Sequence, residues 1–154
     1  MICNSATSLS ITKKVMEDII NTVGKYPPET GGILGANTNG VVTHFYYDRT
    51  GISSASGYAP DVLSVNSVLA NCWMPNEIFM VGIVHSHSTL NIAPSCGDIA
   101  YGIRILQALD TVEEFYLPIV AHSEANVEMH CYVISPDPDR QFICRKVDYE
   151  IVDE

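Results

Sequence analysis

Basic residues are scarce in this chain, and that scarcity sets a first boundary on its function. Eight lysines and arginines face eighteen aspartates and glutamates, a formal charge of −10. Such a surface repels phosphate backbones and anionic membranes, which argues against nucleic acid and membrane partners and favours a basic protein surface. Long apolar runs are missing too: none approaches the ~18 residues needed to span a bilayer. The opening MICNSATSLS has neither the basic segment nor the apolar stretch of a secretory leader. The five cysteines (Cys3, Cys72, Cys96, Cys131, Cys144) are odd in number and widely spaced. They form neither a CxxC zinc pair nor a disulfide framework, so reduced thiols in a cytoplasmic protein are expected.

What is present is a globular composition. With 47% hydrophobic residues the 154-residue chain is not a disordered one, and its length suits one domain burying roughly two-thirds of its unfolded surface. Residues 8–25 place Ile11, Val15, Ile19 and Val23 at helical spacing, with Ser10 as N-cap and Gly24 and Pro27-Pro28 as the stop. GGILGA and VVTHFYYD flank Asn37-Thr38-Asn39-Gly40 and read as a hairpin. Residues 49–60, RTGISSASGYAP, are a surface loop by composition, and 61–74 a second helix capped by Asp61. EIFMVGIVH is apolar on both faces, hence a central strand. A third helix runs from Ser95 to about Leu109, and FYLPIVAHS, VEMHCYVI and FICRKVDYEIV are later strands. There is no internal repeat and no linker. One α/β domain is the expectation.

The chemistry concentrates in VGIVHSHSTLNIAPSCGD, residues 81–98. Alternation along a strand points His85 and His87 to one face, where the apolar run ends. After a polar loop, Ser95-x-x-Asp98 puts a carboxylate in the first turn of a helix. Taken singly, His-x-His is often two polar residues at a strand end, and Ser-x-x-Asp a capping box. Together they offer two imidazoles and one carboxylate with a fourth position for water, the pattern of a catalytic zinc site. Such a site needs a proton acceptor. Glu29, in PPETGGILG, is the candidate, although alone it reads as a turn residue.

The set Glu29, His85-x-His87, seven residues, Ser95-x-x-Asp98, with the surrounding E-x-G-G-I-L-G and V-G-I-V-H-S-H, resembles the signature of the JAMM metallopeptidases, also called MPN-plus or JAB. The likeness covers about residues 10–135, within a single domain spanning 1–154, and a C-terminal strand and acidic tail follow at about 141–154. Its compactness is similar to the stand-alone prokaryotic branch. The resemblance implies a cytidine-deaminase-like α/β/α sandwich with a mixed central sheet. It implies Zn2+ held by His85, His87 and Asp98, with Glu29 as general base and later proton donor to the leaving amine. Ser95 would hydrogen-bond the oxyanion. The implied activity is that of a zinc peptidase or isopeptidase acting on the C-terminal tail of a ubiquitin-like protein, in deconjugation or precursor maturation. One departure stands out: the family usually has proline after the second histidine, and this chain has Ser88, which frees the loop exit.

Three other readings compete. A metal-free MPN-type scaffold or assembly subunit would normally lack a ligand or the glutamate, and none is missing. A cysteine-releasing peptidase acting on a sulfur carrier would use the same five residues. A zinc deaminase is suggested by PSCGD, but His85-Ser86-His87 lacks the glutamate of H-x-E, and Ser95 and Asp98 stand in place of its cysteines. His44, His122 and His130 read as structural histidines, Cys96 as a small hydrophobe in a helix's first turn or a redox-sensitive thiol close to the zinc, and the loop 49–60 as a flap over a substrate tail.

Overall fold

The computed structural model describes residues 8–25, 29–54, 57–87, 92–122 and 126–153. Ser88 therefore lies outside the described residues, as do Cys3 and the centre of the 49–60 segment.

The first expected helix is shorter than its periodicity suggests. Residues Ser8–Thr12 form strand β1, and helix α1 covers only Lys13–Asn21. Leu9 and Ile11 alternate with Ser8, Ser10 and Thr12, a period of two that fits a strand, and both are buried. Thr12, not Ser10, caps the helix, its Oγ1 accepting from the Val15 amide at 3.3 Å. Val15, Met16 and Ile19 face inward, while Lys14 pairs with Asp18 on the solvent side.

The hairpin forms as expected from β2 (Gly31–Ala36) and β3 (Val42–Tyr47). The Asn37 side chain accepts from the amides of Asn39 and Val41, and Gly40 takes a φ of +79°, which needs glycine. The segment expected as a surface loop instead pairs as a small hairpin, β4 (Ile52–Ser54) with β5 (Gly57–Ala59). Asp61 caps α2 (Val62–Val68), accepting from the Ser64 amide. That helix widens into a π turn at Leu69–Trp73 and tightens into a 3-10 turn at Met74–Asn76, which buries Trp73.

Strand β6 (Phe79–His87) is central, between β2 on one side and β7 (Phe115–Tyr116) and β8 (Ile119–His122) on the other. Helix α3 (Cys96–Ala108) follows it, and β9 (Val127–Pro136) and β10 (Phe142–Val152) complete the chain.

The expected α/β/α sandwich with an open central sheet is not what forms. The strands run β10-β1-β3-β2-β6, then β7 and β8 in one shared place, then β9, and β9 pairs back to β10. The result is a closed, mixed seven-stranded barrel with few helices. Two long strands close it. The first half of β9 pairs with β8 and its second half with β10, from Cys131↔Val147 to Pro136↔Phe142. The end of β10 then runs parallel to β1, from Ser8↔Asp148 to Thr12↔Val152. Closure removes the free edges an open sheet would carry. Leu9, Ile11, Leu34, Val42, Val84, Val120, Val133 and Val147 come from strands around the whole ring and meet α1 in one core. A second core, including Ile33, Ile83, Phe115 and Ile134, packs against α2, Trp73 and α3 on the other face of the wall.

Candidate metal centre

The carboxyl end of β6 carries His85 and His87, which are buried at 3% and 7% exposure. Two neighbours pin this end. On one side β8 runs parallel, pairing His85 with Ile119 and His87 with Ala121. On the other, β2 is antiparallel with Gly31 opposite His85, so the chain just before β2 lies beside His87. Glu29 sits on that segment and is buried.

The imidazoles are tilted 58° to each other, and their Nε2 atoms lie 3.1 Å apart. Asp98 Oδ2 lies 3.3 Å from His85 Nε2 and 3.4 Å from His87 Nε2. Metal–nitrogen and metal–oxygen bonds of about 2.0–2.2 Å in tetrahedral geometry put neighbouring donors about 3.3 Å apart. The observed triangle has that size, and its donor set of two imidazoles and a carboxylate suits zinc. Glu29, His85 and His87 also form a potential metal-binding group, with ligand atoms within 4.8 Å of one another.

Helix α3 delivers Asp98 through its cap. Ser95 Oγ accepts from the Asp98 amide at 3.1 Å, and Asp98 Oδ2 accepts from the Ser95 amide at 2.8 Å. The capping box and the contacts with His85 and His87 thus use the same carboxylate oxygen. Partial burial of Asp98 favours its neutral form, but hydrogen bonds to His85 and His87 outweigh this and hold the carboxyl well below the usual range. Glu29 moves the opposite way. Burial raises its pKa, the two histidines pull it back in part, and Asp98 adds to the rise.

Two contributors escaped the sequence reading. Ser86, between the histidines, is fully buried, and its Oγ accepts from the Thr30 amide at 3.1 Å. The Ser86 amide in turn donates to the Thr30 carbonyl at 2.9 Å. It thus ties the histidine strand to the residue after Glu29. Tyr58, on β5, lies so close to Gly31 that a Cβ there would come within 2.7 Å of its ring. Its hydroxyl donates to Asp48 Oδ2 at 2.8 Å, which anchors the small hairpin beside the site. The Ser86 signal was available in principle: a hydroxyl flanked by two site residues on a buried strand must find a local partner. Tyr58 had no such signal.

Next to the histidines lies a cavity of about 260 Å3, lined by Tyr58, Pro60, Ile83, His85, Asp98, Tyr101 and Arg104 among others. Cys96 is exposed in the first turn of α3.

No family model matches this chain, and no curated protein does. Solved structures do. A Desulfitobacterium hafniense protein known from its solution structure aligns with a TM-score of 0.69 at 19% identity, over 95% of this chain and 94% of that one. A JAB1/MPN domain protein from Archaeoglobus fulgidus aligns with a TM-score of 0.50 at 15% identity, over 94% of this chain and 98% of that one. At such identities the likeness is one of fold, and the second neighbour makes that fold similar to an MPN domain.

Proposed function

We propose that this chain is a zinc-dependent peptidase or isopeptidase of the JAMM type, acting at the C-terminal tail of a ubiquitin-like protein. The observation that carries this reading is the triangle of His85 Nε2, His87 Nε2 and Asp98 Oδ2, with edges of 3.1 to 3.4 Å and the Glu29 carboxylate at its side. His85, His87 and Asp98 would hold the Zn2+. Bound there, zinc supplies Lewis-acid polarisation of a carbonyl and lowers the pKa of water. Glu29 takes the proton from the attacking water and returns it to the leaving amine, and its burial-raised pKa suits both transfers. The Ser95 hydroxyl accepts from the Asp98 amide, which leaves its own proton to donate to a developing oxyanion. A glycine-ended tail fits a narrow approach to the site, because residues without a Cβ lie flat. The acidic surface favours a basic patch on the modifier.

The test is metal content followed by turnover. About one Zn2+ per chain is expected, with His87→Ala losing most of it. Glu29→Gln is expected to keep the metal while kcat falls by roughly 10² to 10⁴. Protein that neither contains zinc nor takes it up would sink the reading. Near-normal turnover in Glu29→Gln would remove Glu29 from its role.

A further inference from the structure

We propose that the cavity beside the metal centre is a subsite for a free peptide α-carboxylate, recognised by Arg104, so that the group released is a short C-terminal extension and not a lysine side chain. This rests on the metallopeptidase reading and names the class of its substrate.

The cavity joins two chemistries. His85, Ser95 and Asp98 line it, and so does Arg104, the one arginine or lysine among the described residues of its lining. Arg104 sits on α3 six residues after Asp98, both lining this cavity, and helical side chains lean toward the N-terminus of their helix, here toward the Ser95–Asp98 turn. Its guanidinium lies over the Tyr101 ring, 5.4 Å from the centroid, so a neighbour on the same helix holds it there. Among the described residues no carboxylate pairs with it, in a chain where acidic groups outnumber basic ones by more than two to one. The nearby Asp98 Oδ2 is already engaged by His85, His87 and the Ser95 amide. An exposed guanidinium that lines a reaction cavity and has no carboxylate partner among the described residues is suited to bidentate capture of a carboxylate.

Size and lining agree. At about 260 Å3 the space falls below the roughly 300–1,000 Å3 of a drug-sized ligand site, which suits one or two residues. Ile83, Leu117, Ala59 and Pro60 make its walls largely apolar. A lysine stem entering from an isopeptide bond would bring no anion to Arg104, whereas a terminal residue would. In the reaction, the water oxygen bonds to the last glycine carbonyl and the C–N bond breaks. The extension then departs as an amine bearing the proton from Glu29, its carboxylate still on Arg104.

The experiment measures binding without turnover. Fluorescein-labelled Ala-Leu-Gly-Gly-Ala, as free acid and as C-terminal amide, is titrated by anisotropy into Glu29→Gln protein, with and without added zinc. The same titrations use Glu29→Gln combined with Arg104→Gln or with Arg104→Lys. The acid is expected to bind about 10- to 100-fold more tightly than the amide, the range of a charge-assisted hydrogen-bonded pair. That ratio should fall to near one with Arg104→Gln and recover in part with Arg104→Lys. A ratio near one before Arg104 is changed, a ratio that survives Arg104→Gln, or no binding of either peptide overturns the proposal. Failure of the metallopeptidase reading shows separately, as absent zinc and an uncut free-acid peptide in the unsubstituted chain; an Arg104-dependent preference for the acid would stand without either.

Discussion

Ser86 shows how much a single buried hydroxyl carries at this site. It accepts from the Thr30 amide while the flanking residues supply the two imidazoles, so one strand end sets both histidines and, through Thr30, the adjacent Glu29. Ser86→Ala leaves the Thr30 amide short of a partner. Leaving a buried donor unpaired costs roughly 1–3 kcal/mol, so the urea midpoint is expected to fall with an unchanged m-value. Zinc content should stay near normal, since no ligand is lost, while kcat drops because Glu29 is less firmly held. Unchanged stability in Ser86→Ala would mean that the Thr30 contact contributes nothing net.

At the scale of elements, the small hairpin β4–β5 depends on one carboxylate. Asp48 Oδ2 accepts from the Tyr58 hydroxyl and from the Asp61 amide, both at 2.8 Å, and so joins the hairpin to the cap of α2. Tyr58→Phe removes one of these bonds and keeps the ring over Gly31. A loss of about 1 kcal/mol or more is expected, with faster amide exchange confined to residues 52–59. Exchange that quickens across the whole barrel would refute this local role. The elements also show what was legible beforehand. The strand that carries His85 and His87, and the helix that Ser95 caps with Asp98 in its first turn, followed from local pattern: a run apolar on both faces, and later a capping signal. Residues 8–12 were misread because Ile11 and Val15 happen to fall at helical spacing, while the deciding contact is the pairing of β1 with a strand 140 positions away. The hairpin at 52–59 was hidden in the same way, its small polar residues giving composition without periodicity.

For the whole molecule, closure is what local pattern could not supply. The strands β2, β3, β6, β9 and β10 and the β7–β8 segment were anticipated, yet such strands could lie open between helix layers or curl until β9 meets β10. The partners of β10 decide it, and they are long-range. In the closed form Leu9 is an interior residue, 1% exposed, and not part of a surface helix. Leu9→Ala is therefore expected to destabilise by about 2–5 kcal/mol in chemical unfolding, the range for a buried leucine. A cost below about 1 kcal/mol would fit a peripheral segment instead.

The parallel seam between β1 and β10 also bears on how the chain is made. Ile11 cannot meet Ile151 until the chain as far as that residue, 140 positions on, has left the ribosome. The residues of the candidate metal centre, from Glu29 to Asp98, emerge well before that. During synthesis β1 has little more than a single residue pair with β3, Ile11↔Val42, and its other side stays open. Contacts of such separation slow folding, and an open strand edge recruits other chains meanwhile. In a nascent chain the barrel therefore still gapes after the histidines and carboxylates have emerged, and β10, which follows them, seals it.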